Sequence, residues 1–393
     1  MKNRGVANLI IASLCMLCLL IPFESQAKEN EAVIGFIGPL TGGAAFLGVD
    51  SLNGALLAAE DINTTGGIVV NGQKYILKIE SYDDEATPAK AVAGLRKMHD
   101  RFEIPVVICD TSGSSIAITE INGRLGVLWT GFATHPDLTA KGNKLVLRSY
   151  PPSGPTTALG VEMVAKVLKA QTFAIMSDAS DYGRTQEEQF RKQMEAKGMK
   201  HIATEWFDQR KDSDFRVLLT KIKQQNPDAF VICAYDEATG QVIKQAREIG
   251  LTAPSVTSTG FQTKGMEIAG AKNLEGGVGV TGPTGFDPPP QSLLNYRQAY
   301  QKRFGGVPAS YGENNYELVF AIARGMEKAG SVSDAHKIRA GMQAAVPVAK
   351  ENRTAWIEKW DDAGEVTLWQ SGFVFRDGKR VDEFGKELAP PEY

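Results

Sequence analysis

Short apolar runs recur along the chain, each closed by small polar residues and followed by a segment whose apolar positions fall at helical spacing. Ala32-Val33-Ile34-Gly35-Phe36-Ile37-Gly38 is the first. A continuous run of this kind suits a strand covered on both faces of a parallel sheet. Leu52, Ala55, Leu56, Ala59 and Ile62 then share one face of a helix beginning near Gly48. Asn71-Gly72 predicts a hairpin turn before a strand over 75–82, and a helix follows over 88–99. Strands over 105–109, 126–129 and 145–148 complete a first round of alternation.

Tyr150-Pro151-Pro152-Ser153-Gly154-Pro155 breaks the pattern, after which it restarts. The second round predicts strands over 172–176, 201–207, 229–234, 256–259 and 277–281, with helices over 156–168, 185–197 and 237–249 and another after Asp214. A second break at Gly282-Pro283 and Asp287-Pro288-Pro289-Pro290 precedes three helices, over 293–304, 314–329 and 334–345. Short antiparallel strands are expected over 356–360, 366–369 and 373–376. Two rounds of β/α alternation indicate an α/β protein of two doubly wound, Rossmann-like lobes joined by a hinge of several crossovers. We expect 28–150 with 282–352 to form lobe I, and 151–281 with 353–393 to form lobe II. Ligands of such sheets bind beyond the carboxyl ends of the strands, here in an interlobe cleft.

Composition narrows the setting. Lys2 and Arg4 precede an apolar run over 6–22, and Ser25-Gln26-Ala27 supplies the small residues of a cleavage site, so residues 1–27 read as a secretory signal peptide. Cys15 and Cys18 lie in that leader, each after Leu where a lipoprotein signal wants Gly, Ala or Ser. Only Cys109 and Cys233 remain, so the chain is not a disulfide scaffold. Lys and Arg total 43 against 46 Asp and Glu, spread without a basic stripe, which argues against nucleic acid as a partner.

Catalytic signals are scarce. The histidines His99, His135, His201 and His336 stand singly, and neither a phosphate loop nor a Gly-x-Ser-x-Gly elbow occurs. Gly277-Val278-Gly279-Val280-Thr281-Gly282 matches a dinucleotide pattern by letter but runs into proline instead of a helix. No metal or cofactor is expected. A hydrolase using a serine near 112 lacks an evident base. The binding chemistry concentrates in 105–134, which reads as strand, small polar loop, short helix, strand and second polar loop. Asp110-Thr111-Ser112-Gly113-Ser114-Ser115 and Gly131-Phe132-Ala133-Thr134 are the two loops. Hydroxyls and backbone N–H groups at a helix start can hold a carboxylate, although the same serines also suit a plain helix cap. Phe132, Tyr182, Tyr235 and Phe261 follow strands of either lobe and could wall an apolar pocket.

Ile34 to Gly42, Ala59-Glu60-Asp61-Ile62-Asn63, Tyr82-Asp83-Asp84, 133–139, Asp181-Tyr182-Gly183 and Gln245-Ala246-Arg247 together resemble the leucine/isoleucine/valine-binding group of periplasmic substrate-binding proteins of ABC importers. The resemblance implies a type I periplasmic fold, a lobed clamp that closes on a small-molecule ligand, a periplasmic location, a membrane permease as partner, and a monomer. It implies that Ser112, Gly113 and Ser114, with Ala133 and Thr134, hold the ligand carboxylate, while Tyr182 and Tyr235 contribute from the second lobe. Thr259 matches the acid that meets an ammonium group, and Phe46 or Leu47 matches a tyrosine that covers the ligand. With that acid absent, either Asp110, Asp236 or Glu237 replaces it, or the cargo is an aromatic or aliphatic acid without an α-amino group. The family disulfide is not expected, because Ala86 or a neighbour stands where Cys109 would need a partner. A ligand sensor of the same fold is the remaining alternative.

Overall fold

The structure is a computed structural model that describes residues 30–389 apart from Gly260. The leader expected over 1–27 lies outside the described residues. The first lobe runs β1 (Glu31–Gly38), α1 (Ala45–Thr64), β2 (Ile68–Val70), β3 (Gln73–Asp83), α2 (Pro88–Phe102), β4 (Val106–Ile108), α3 (Ser112–Thr119), α4 (Asn122–Leu125), β5 (Leu128–Gly131), α5 (Asp137–Ala140) and β6 (Val146–Arg148). Its sheet has the order β2-β3-β1-β4-β5-β6, parallel except for the hairpin strand β2. Asn71 and Gly72 take left-handed backbone angles at the hairpin turn, a conformation that suits Asn and Gly best. Val106, Val107 and Ile108 are all fully buried, as a strand with helices on both sides requires.

The register sets where the chain can present chemistry. Gly38 pairs with Asp83, Phe36 with Ile108, and Ile108 with Thr130. The strands therefore end at one level, and the loops after β1, β3, β4 and β5 open side by side. Strand order reverses direction around β1, which makes the gap between β1 and β4 the switch point where such sheets bind ligands.

The second lobe repeats the plan with α6 (Ser153–Met163), β7 (Thr172–Asp178), α7 (Asp181–Ala196), β8 (Lys200–Phe207), α8 (Arg216–Gln224), β9 (Ala229–Cys233), α9 (Asp236–Glu248), β10 (Ser255–Thr257), α10 (Thr263–Ala269), α11 (Ala271–Leu274) and β11 (Val278–Thr281). Its sheet, completed by two C-terminal strands, β14 (Ser371–Arg376) and β15 (Lys379–Val381), has the order β15-β14-β11-β10-β9-β7-β8, with β7 at the reversal. The chain then returns to the first lobe, where α12 (Gln291–Phe304), α13 (Ser310–Ala329) and α14 (Ala335–Ala345) cover one face through Leu293, Tyr296, Leu318, Ile322 and Met342.

The last crossover falls later than the sequence suggests. β12 (Ile357–Trp360) and β13 (Val366–Leu368) form a small ribbon whose Ile357, Trp360 and Val366 pack into the first-lobe core. Only β14 (Ser371–Arg376) and β15 (Lys379–Val381) join the second sheet. The cause is Glu317 of α13, whose fully buried carboxylate accepts the N–H groups of Thr354, Ala355, Trp356 and Ile357 at 2.7–2.9 Å. That contact fastens 354–357 to the first lobe.

Candidate functional site

β4 and β5 end side by side, and their exit loops meet the loops after β7, β9 and β10 of the opposite lobe. Together they border a small cavity lined by Asp110, Ser112, Phe132, Thr134, Tyr182, Tyr235, Thr259 and Tyr311. Seven of these eight are residues singled out in the sequence. Ser112 is the first residue of α3, so the free N–H groups of that helix start face the same region. Thr134 is 3 % exposed and its hydroxyl has no hydrogen-bond partner among the described residues.

Aromatic rings close the cavity from both sides. Tyr182 and Tyr235 stack with centroids 4.6 Å apart and planes 15° from parallel, and the Tyr182 hydroxyl lies 3.0 Å from that of Ser258. Phe132 stacks on Tyr150 at 4.0 Å and meets Tyr311 edge-on at 5.0 Å. Burial pushes the Tyr235 and Tyr311 phenols well above their ordinary range, so both are neutral. The lobes are in contact at the rim: a Cβ on Gly43 of the first lobe would come within 2.7 Å of the Arg210 backbone of the second.

Other residues named from the sequence sit elsewhere. The Ser114 hydroxyl donates to Asp84 at 2.5 Å inside the first lobe. Ser114 and Gly113 border a wider opening that shares Tyr182 and Tyr235 with this cavity. Ala133 is buried, and its carbonyl accepts from Arg148. Phe46 lines an outer groove with Arg210 and Glu237 and packs from there against the cluster of Phe132, Tyr182, Tyr235 and Tyr311, in which its neighbour Leu47 is buried. Phe261 is core, edge-on to Phe375. His135 bonds within its own loop, its Nδ1 accepting from the Asp137 N–H at 3.2 Å.

Three carboxylates were candidates to meet an ammonium group. Glu237 belongs to the outer groove. Asp236 accepts the N–H groups of Gln262 and Gly265 at 2.7 and 2.8 Å and does not line the cavity; burial raises its pKa to about 6. Asp110 does line it, but Oδ1 accepts from the Phe132 N–H at 2.8 Å and Oδ2 from Asn315 at 2.7 Å, so both oxygens are already engaged. Burial raises its pKa as well.

Tyr311 lies outside the helix expected over 314–329, which in the structure begins at Ser310. The helix starts early because Asp50, on α1, accepts the N–H groups of Ala309 and Gly312 at 3.0 and 2.6 Å. A side chain some 260 positions away in sequence thus acts as the helix cap.

The sequence matches the periplasmic binding protein family over residues 31–357. The chain belongs to that family. It is 28 % identical to an amino acid binding protein of Pseudomonas aeruginosa over 92 % of this chain and 97 % of that protein. A leucine-, isoleucine-, valine-, threonine- and alanine-binding protein of the same organism is 30 % identical over 86 % of this chain and 89 % of its own length. Among solved structures, the branched-chain amino acid transporter substrate-binding protein LivJ of Streptococcus pneumoniae, in complex with isoleucine, superposes with a TM-score of 0.76 at 22 % identity, covering 92 % of this chain and all of that one. An ABC transporter solute-binding protein from R. palustris in complex with benzoate gives 0.77 at 19 %, covering 92 % and 98 %. Members of the family are extracytoplasmic solute-binding proteins that work with ABC permeases, not enzymes. No described helix is long and apolar enough to cross a membrane.

Proposed function

We propose that this chain holds a branched-chain amino acid or a related small carboxylate in the interlobe cavity and delivers it, as a periplasmic monomer, to the permease of an ABC importer. The convergence of Ser112, Thr134 and the start of α3 with Tyr182, Tyr235 and Thr259 of the opposite lobe carries this reading. The ligand carboxylate accepts from the Ser112 hydroxyl, the first N–H groups of α3 and the Thr134 hydroxyl. Such charge-assisted bonds are short and roughly twice as strong as neutral ones. Pairing the buried Thr134 hydroxyl also relieves a desolvation cost of about 1–3 kcal/mol. The stacked tyrosines and Phe132 take the apolar remainder.

One observation favours the acid without an amino group over the amino acid. Asp110 is the only carboxylate among the residues lining the cavity, and each of its oxygens already accepts one hydrogen bond from the first lobe. A buried ammonium group without a carboxylate costs several kcal/mol. Isothermal titration of protein stripped of ligand by unfolding and refolding, against leucine, valine, phenylalanine and their deaminated counterparts, separates the two. Ser112→Ala should weaken every one of these that binds; unchanged affinity removes Ser112 from the carboxylate site.

A further inference from the structure

We propose that a second cavity, at the hinge, is a subsite for a neutral hydroxyl group at the far end of the ligand. This rests on the carboxylate reading above. The cavity has room for about one water molecule and is lined from beside all three crossovers, by Tyr150, by Gly282 and Pro283, and by Leu368. Phe132 walls both this cavity and the one at Ser112, so the two chambers lie on either side of one ring.

The polar demand of the hinge cavity is specific. Asn314 is satisfied at both ends by Ser149, at 2.5 and 2.9 Å, and the Thr354 hydroxyl donates to the Glu313 carbonyl at 2.5 Å. The Gln262 amide donates to the Thr259 carbonyl at 2.7 Å. Three groups are left: the Tyr150 and Ser310 hydroxyls and Glu313 Oε2 are buried without a hydrogen-bond partner among the described residues. Glu313 is 1 % exposed, and its other oxygen accepts from Arg297 at 2.8 Å. A buried acceptor beside a buried hydroxyl calls for a group that can donate to the first and accept from the second.

A hydroxyl does both. An ammonium group could donate to Glu313 and to the Ser310 oxygen, but it would face Arg297, which lies 2.8 Å from the other Glu313 oxygen, and a neutral hydroxyl meets no such repulsion. The rings of Phe132 and Tyr150 flank the passage and favour a flat apolar body between the two ends. The ligand class is therefore a carboxylic acid with an aromatic or compact apolar body and a distal hydroxyl, seated with the Phe132 ring turned aside.

The test uses isothermal titration with phenylacetate, 3-phenylpropanoate, and the 4-hydroxy and 4-methoxy derivatives of each. The full mature chain is compared with Ser310→Ala, Glu313→Gln and Ser112→Ala. The expected result is tenfold or more tighter binding of a hydroxy acid than of its parent and its methoxy analogue. Ser310→Ala should cut that preference below threefold while leaving the parent acid unchanged. Glu313→Gln turns an acceptor into a donor, so it should improve methoxy over hydroxy binding. Equal affinities for hydroxy and parent acids, with Ser112→Ala still weakening both, overturn the hinge subsite and leave the carboxylate reading intact. If none of the acids binds and leucine does not either, the carboxylate reading itself falls. Should Glu313→Gln fail to fold, Ser310→Ala decides alone.

Discussion

Arg148 should control ligand binding without touching the ligand. Its side chain is fully buried at the end of β6, where Nη1 donates to the Ala133 carbonyl at 3.4 Å and Nη2 to the His135 carbonyl at 3.0 Å and the Thr139 hydroxyl at 3.1 Å. Nε lies 3.0 Å from Glu365 Oε2, an ion pair whose N–H is not aligned as a hydrogen bond. The guanidinium thus spans the loop that carries Thr134. Removing one member of a buried pair costs about 3–5 kcal/mol, and because Glu365 keeps 29 % of its side chain in water we expect about 3 kcal/mol for Arg148→Met. Freeing the loop should add a loss of about tenfold in ligand affinity, roughly 1.4 kcal/mol. Urea melts and titration with the tightest ligand measure the two effects separately. Adding Glu365→Gln removes the orphaned charge, so part of the stability should return while affinity stays low. Wild-type affinity in Arg148→Met would refute the idea that this residue holds the loop.

Four further outcomes follow from single sites. Thr259→Asp supplies the missing acid beside Tyr182 and should shift preference toward leucine over 4-methylpentanoate by tenfold or more, read by titration. Gly43→Ala should weaken binding with little change in stability, because its Cβ meets backbone of the opposite lobe; X-ray scattering with saturating ligand should show a wider mean separation of the lobes than in the wild type. Burial raises the pKa of Asp50 from 3.8 and of Glu317 from 4.5, each to about 7, so the folded chain keeps protons that the unfolded chain has released. The stability these two groups contribute should therefore be complete below about pH 4, fall as pH rises to about 7 and level off above, and Glu317→Gln should flatten the slope of urea midpoint against pH.

The alternation of strands and helices was legible because continuous apolar runs such as Val106-Val107-Ile108 have few other uses, and all three are fully buried. The cavity was legible in outline for a related reason: strands in register end at one level, so residues just past them converge. What failed to show were partners chosen in three dimensions. Nothing near Ser114 reveals that its hydroxyl is spent on Asp84, 30 positions earlier. Nothing in 353–368 says that Glu317 will gather four N–H groups and hold the segment on the first lobe. Phe46 and Leu47 differ by one position on a helix, about 100° of rotation, and that leaves Leu47 fully inside the aromatic cluster and Phe46 at its edge, partly in the outer groove.

Helix α13 joins the ligand cavity to the hinge mechanically. Ser310, Glu313, Asn314 and Glu317 recur at spacings of three and four, which places them on one face of the helix. Along that face Ser310 and Glu313 border the hinge cavity, Asn314 grips Ser149 in the first crossover, and Glu317 grips 354–357, which lead into the ribbon before the last crossover. Tyr311, one residue after Ser310, reaches the ligand cavity. A ligand pressing on Tyr311 therefore acts on a rigid rod fastened beside two of the three crossovers. If the cavity holds the ligand as proposed, we expect closure of the lobes to be coupled to its filling through that helix, so that Tyr311→Ala should weaken binding and reduce the ligand-induced change in X-ray scattering.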